Sequence, residues 1–180
     1  MNIHQMQVRY HPTADRVLWQ VRTGEGELVG VWLTRRMLRQ LWPHLNRVTT
    51  MSGITRMAPN AIASPEAREM MAQAARSRPL ENANFETAFD SQAASLPLGP
   101  EPLLPEAYDI GPGKGGQGVH LAARESNGRN MTLELSDELA IGLLRLLEQA
   151  LIEADWGILE TPPAADAGAA STPVAPILLN

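Results

Sequence analysis

The sequence predicts an α+β fold made of two pseudo-repeated antiparallel β-meander or hairpin-plus-helix units that share a core. Three observations carry this. Residues Val17 to Arg47 alternate apolar and polar positions twice, which marks two strands that each bury one face. A glycine-containing turn separates those strands, and a helix-capping Thr34 precedes a run with apolar residues at spacings of three and four. The same order then recurs at a constant offset of 102 positions. Val17, Trp19 and Val21 fall on Val119, Leu121 and Ala123, and Gly26 falls on Gly128. Val29, Val31 and Leu33 fall on Met131, Leu133 and Leu135, Thr34 on Ser136, and Leu41 and Leu45 on Leu143 and Leu147. Few identities are shared, but each matched position has the same physical task.

Taken in order, Gln5 to Tyr10 alternates as a strand, with Met6, Val8 and Tyr10 on one face. His11 to Asp15 turns the chain, and Pro12 limits the strand. Arg16 to Arg22 and Leu28 to Leu33 form the next two strands around Gly24-Glu25-Gly26. The second of these is apolar on both faces, as expected of a strand that is central or covered. Thr34 starts a helix whose inner side is Met37, Leu38, Leu41, Trp42, Leu45 and Val48, with a kink or break expected at Pro43. Thr49 to Asn60 lacks periodicity and reads as a loop. Ser64-Pro65-Glu66 is a strong helix start, and that helix is expected to reach about Ala75. The Pro-, Ala- and Ser-rich stretch from Arg78 to Pro105 reads as a long connection, with a candidate strand at Phe85 to Phe89. Val119 to Glu125 and Asn130 to Leu135 form the second hairpin, preceded by a candidate strand at Tyr108 to Ile110. Ser136 caps the last helix, to about Asp155, whose apolar face is wide enough to meet a second subunit or the other repeat. The organisation is therefore a first repeat over residues 1–50, a helix-containing connection over 51–106, a second repeat over 107–157, and a Pro/Ala-rich tail over 158–180 expected to be disordered, with Ile177-Leu178-Leu179 a candidate docking motif.

Composition bounds the chemistry. There is no cysteine, which excludes disulfides, thiolate catalysis and cysteine-based zinc sites. His4, His11, His44 and His120 are scattered and form no HExxH or close pair, so no metal and no cofactor is expected. No apolar run is long enough to cross a bilayer, and the first residues lack a basic-then-apolar signal pattern, so the expectation is a cytoplasmic protein with no membrane partner. Arginine outnumbers lysine fourteen to one, the bias of a GC-rich bacterial genome. The net charge of −5 is unevenly spread. Residues 1–60 hold eight arginines against three acids, and residues 61–180 hold seven basic groups against seventeen acids. Such asymmetry suits an anionic partner for the first half or attraction between the halves.

The candidate site residues are Arg35, Arg36, Arg39 and Arg47 on the first helix. Cations in a first helical turn are disfavoured by the helix dipole by about 0.3–1 kcal/mol each. The matching residues 102 positions on, Asp137 and Glu138, obey the rule. An anion shared by the helix N-terminus and the guanidinium groups would account for the exception, as would a solvated arginine face or pairing with acids of the second half. Lys114, the one lysine, lies in Gly111-Pro-Gly-Lys-Gly-Gly-Gln-Gly118 and is a weak phosphate candidate, because the glycines precede a strand rather than a helix. Tyr10, Trp19, Trp32 and Trp42 lie near the basic residues Arg9, Arg16 and Arg22, where they either form core or stack bases.

No nucleophile elbow or paired catalytic carboxylates stand out. The expected function is a non-enzymatic bacterial protein-interaction module, dimeric or bound to another protein, with a single-stranded nucleic-acid-binding protein using the basic first repeat as the alternative. At the level of element order alone, repeated strands followed by a helix look like the PUR-repeat and Whirly-type single-stranded nucleic-acid-binding proteins. None of those families' sequence motifs is present, and fold analogy alone does not imply function.

Overall fold

Two antiparallel sheets and three helices follow from that pattern in the computed structural model, which describes residues 2–57, 64–77, 88–159 and 177–178. The first sheet holds β1 (Ile3–His11), β2 (Arg16–Thr23) and β3 (Leu28–Thr34) in sequence order. Helices α1 (Arg35–Met57) and α2 (Pro65–Ser77) come next. The second sheet holds β4 (Ala107–Pro112), β5 (Val119–Arg124) and β6 (Asn130–Leu135), followed by α3 (Asp137–Ala154). A two-residue strand β7 (Ile177–Leu178) pairs with the outer edge of β4, giving the order β6-β5-β4-β7. The chain is α+β, with one long helix following each three-stranded meander.

Strand register keeps the 102-residue offset. Val17 pairs with Leu33 and Val119 with Leu135; Val8 pairs with Trp19 and Ile110 with Leu121. Both hairpin turns place a glycine at positive φ, Gly26 at 82° and Gly128 at 89°. Both following helices are capped alike: Thr34 Oγ1 accepts from the Met37 amide at 3.2 Å, and Ser136 Oγ accepts from the Leu139 amide at 3.3 Å. The strand that opens the second meander is β4, at the Tyr108 to Ile110 candidate. At the other candidate, Ala88 and Phe89 lie in no strand, and residues 85–87 lie outside the described residues.

The apolar face of each sheet points inward: Val17, Trp19, Val21, Val29, Val31 and Leu33 from the first, Tyr108, Ile110, Val119, Leu121, Met131, Leu133 and Leu135 from the second. The helices then cross over. α3 packs on β1 of the first sheet, and α1 packs on β4 and β5 of the second. Each meander is thus covered by the helix of the other, within one chain, and this accounts for the wide apolar face of α3. Its buried residues include Ala140, Ile141, Leu143, Leu144, Leu147, Ala150 and Leu151, shared between β1 and α1.

Of the kink or break expected at Pro43, the break does not occur: α1 runs through Pro43 as one helix. The reading of Thr49 to Asn60 as a loop needs correction, since the helix continues to Met57, across most of that stretch. Pro43 removes an amide that would donate to the Arg39 carbonyl, and it sits on the side of the helix away from the core, where that carbonyl can turn to solvent. The later turns were hidden because their buried residues are polar: Thr49, Thr50 and Ser52 are all at most 9% exposed. Ser64 caps α2 as expected, its Oγ accepting from the Ala67 amide at 3.3 Å.

The long connection is partly built into the first sheet. The Leu28 amide donates to the Ser95 carbonyl at 3.0 Å, the Trp32 amide to Leu103 at 2.7 Å, and the Leu103 amide to Gly30 at 2.8 Å. These contacts cover the outer edge of β3, and the Leu103 side chain is fully buried. Arg129 holds the same segment from the other side, donating to the carbonyls of Leu98 at 3.1 Å and Glu101 at 2.9 Å while forming a two-pronged ion pair with Glu125. Past α3, Ile158 is 4% exposed and Leu159 packs against the core, so packed chain extends beyond the expected boundary at 157. Of the tail, Ile177 and Leu178 form β7, and residues 160–176 lie outside the described residues.

Candidate interaction surface

Helix α1 holds five arginines and no acidic residue. At about 100° per residue, Arg36, Arg39, Pro43 and Arg47 fall within an arc of about 80°, opposite the buried Met37, Leu41 and Leu45. Arg36, Arg39 and Arg47 are exposed and form a stripe about 16 Å long, at about 1.5 Å per residue. Met51, 56% exposed, continues the same side of the helix. Among the described residues, none of these three arginines has an ion-pair partner.

Arg35 is separated from the stripe. Its guanidinium Nη2 donates to the Trp156 carbonyl at 3.2 Å, just beyond the C-terminus of α3. The cation at the positive end of α1 therefore sits at the negative end of α3, which offsets the unfavourable placement seen in the sequence. The opposite ends meet too. Asp137, in the first turn of α3, accepts from Ser52 Oγ at 2.5 Å and from the Gly118 amide at 3.0 Å through Oδ1, and from Arg56 Nη1 at 3.4 Å through Oδ2. The Gly118 amide also reaches Ser52 Oγ at 2.7 Å. The two helices are thus antiparallel and tied at both ends. An open groove of about 210 Å³ runs between them, lined by Trp42, Asn46, Thr49, Ile141, Leu144 and Glu148 among others.

The asymmetric charge is partly neutralised inside the chain. Arg56 pairs with Asp137, and Arg22 pairs with Asp90 at 3.0 Å and donates to the Gln92 carbonyl. These two arginines follow the reading that the halves attract one another. Arg9, Arg16, Arg36, Arg39 and Arg47 have no such partner among the described residues.

Lys114 is exposed and lies away from this stripe, in the connection from β4 to β5. Three of that loop's amides are engaged within the fold: Gly113 donates to the Gly118 carbonyl, Gly116 to the Gly113 carbonyl, and Gly118 to Ser52 and Asp137. A phosphate cradle needs such amides pointing outward. Comparison with protein families, curated proteins and solved structures finds no match. The chain therefore has to be read from its own surfaces, and the likeness in element order to PUR-repeat and Whirly-type proteins carries no functional argument.

The aromatics separate into distinct environments. Trp19 is core at 1% exposure. Tyr10 packs edge-on against Trp156, and both donate to Asp15 Oδ1 at 2.9 Å. Trp42 lines the interhelical groove. Trp32 alone of the four tryptophans lies on the outer face of the first sheet, where it meets His11 edge-on at 5.2 Å between ring centres. In the sequence, alternation places Trp19 and Trp32 on opposite strand faces without saying what covers each.

Among the described residues, no group of three or more His, Asp or Glu side chains could hold a metal ion, and no helix is long and apolar enough to cross a membrane.

Proposed function

We propose that the protein is a non-enzymatic interaction module that presents the Arg36–Arg39–Arg47 stripe of α1 to an acidic protein surface. The supporting observation is the stripe itself: three exposed guanidinium groups on one side of a rigid helix, without counter-charges among the described residues. Met51 on the same side, and Met70 on the adjoining α2 at 72% exposure, supply adaptable apolar contacts of the kind protein partners use. A second copy of this chain, whose residues 61–180 carry an excess of ten acidic groups over basic ones, is one such acidic surface and would make the module a dimer.

The test is binding of fluorescent poly-L-glutamate at low salt, with sedimentation velocity run in parallel. The variant Arg36→Glu/Arg39→Glu/Arg47→Glu should bind at least about ten-fold more weakly, as expected when rim charges steer and hold a complex. Unchanged affinity in a folded variant would refute the assignment of the stripe.

A further inference from the structure

A second surface, separate from the α1 stripe, lies on the outer face of the first sheet. Both long helices pack on inner sheet faces, so no helix covers it among the described residues. The connection lies over its far end, where Asp90 meets Gln5 and Arg22, and Pro102 sits at Gly30, leaving the rows of Arg9 and Arg16 outside those contacts. Register fixes its composition. Arg9 lies beside Leu18, which lies beside Trp32; in the next row His11 lies beside Arg16, which lies beside Thr34. Gln7 and Gln20 hydrogen-bond across the strands at 3.1 Å and form the row on the other side. Trp32, His11 and Arg16 are partly exposed, and Arg9 is exposed. Neither Arg9 nor Arg16 has an ion-pair partner among the described residues.

The second sheet provides an internal comparison. The positions 102 residues on from Arg9, Arg16 and Trp32 are Gly111, Gly118 and Glu134. A face serving only to solvate a sheet would need neither the aromatic ring nor the two unpaired cations. The first sheet has both, in adjacent rows of a rigid pleated surface.

We propose that this face binds single-stranded nucleic acid, with a base stacked on Trp32 and backbone phosphates held by Arg9 and Arg16. The chemistry selects the partner. Stacking needs an unpaired base whose flat face is free, which a duplex does not offer, and the two guanidinium groups, on the neighbouring strands to one side of the ring, match successive phosphates leading away from that base. An acidic peptide would satisfy the arginines but leave the indole without a planar partner.

The experiment is fluorescence anisotropy with a labelled single-stranded oligothymidylate and the duplex of equal length, at several salt concentrations, using the full chain. The single strand should bind more tightly than the duplex. Trp32→Ala should weaken binding about ten-fold or more, the range of a lost base stack, and Trp32→Phe should weaken it less. Arg9→Ala/Arg16→Ala, at surface positions that leave the core intact, should lower the salt slope of log affinity by about 1.4, at about 0.7 per phosphate contact. The α1 variant Arg36→Glu/Arg39→Glu/Arg47→Glu should retain the preference for single strands, so failure of the α1 reading and of this one are distinguishable. Absence of oligonucleotide binding at low salt overturns the proposal. So does equal binding of single strand and duplex, equal competition by poly-L-glutamate, or unaltered affinity in both the Trp32→Ala and the double arginine variants.

Discussion

Gly115 and Gly118 have the same φ, 69°, yet replacing them with alanine should have very different consequences. At either position a side chain in the left-handed region costs about 1–2 kcal/mol. At Gly115 nothing lies within 4 Å of an added Cβ, so the cost ends there. At Gly118 the Cβ would overlap the Leu135 carbonyl oxygen and lie 3.2 Å from its carbon, so backbone must move. That movement displaces the amide bonded to Ser52 Oγ at 2.7 Å and Asp137 Oδ1 at 3.0 Å. Hydrogen bonds to a charged group contribute about 1.5–3 kcal/mol. The sum for Gly118→Ala is about 2.5–5 kcal/mol, a large share of the about 5–15 kcal/mol stability of a typical domain. At about 2–4 °C per kcal/mol for a chain of this size, Tm should fall by about 5–20 °C, against a few degrees for Gly115→Ala. Urea and thermal unfolding followed by circular dichroism measure both. If the two variants agree within about 1 kcal/mol, the tight packing of the β4–β5 connection against the start of α3 is refuted.

Three further outcomes follow from the same packing. In a double-mutant cycle, Ser52→Ala and Asp137→Asn should show a coupling of about 0.5–3 kcal/mol in urea unfolding, since the two side chains share one buried hydrogen-bond network; additive effects would contradict that contact. For Glu125, burial raises its pKa, but hydrogen bonds from the Leu104 amide, Arg129 and Asn127, with the Arg129 charge, outweigh it and hold the carboxyl below its ordinary value. Its contribution is therefore fully present above the unfolded carboxylate range and is lost as pH falls through the lower folded value; unfolding free energy of Glu125→Gln should approach that of wild type in acid, and a constant difference across pH would refute the linkage. Burial alone pushes the Tyr108 hydroxyl up to about 12, and this hydroxyl finds no partner among the described residues, so Tyr108→Phe should be neutral or stabilising by thermal unfolding, whereas a loss above about 1 kcal/mol would show a partner.

Much of the fold was legible because strands and caps leave local marks. Alternation located all three strands of the first meander, and the matched Thr34 and Ser136 located both helix starts. What stayed hidden depends on contacts far apart in sequence. Ser52 looks like a loop residue until Asp137, 85 positions later, supplies the partner that makes its buried hydroxyl acceptable. Arg35 looked like part of an anion site until the end of α3 supplied the Trp156 carbonyl. Among the candidate residues, spacing alone placed Arg35, Arg36, Arg39 and Arg47 on one side of a helix; Arg35 is drawn to the end of α3, and the helix had to continue through Pro43 for Arg47 to join the other two. Alternation put Trp32 out of phase with Val29, Val31 and Leu33, but since that strand is apolar on both faces the sequence did not show whether the second face was covered.

The most direct measurement of the α1 interaction surface places a photoactivatable residue at Met51, which is 56% exposed beside the arginine stripe, and irradiates the native cell. The control is the same residue at the exposed Thr132 on the outer face of the second sheet. A partner docked on α1 predicts a defined protein adduct from position 51, weakened by Arg36→Glu/Arg39→Glu/Arg47→Glu, and none from position 132. Equal adducts from both positions, or an adduct from position 51 that survives the charge reversal, would contradict it.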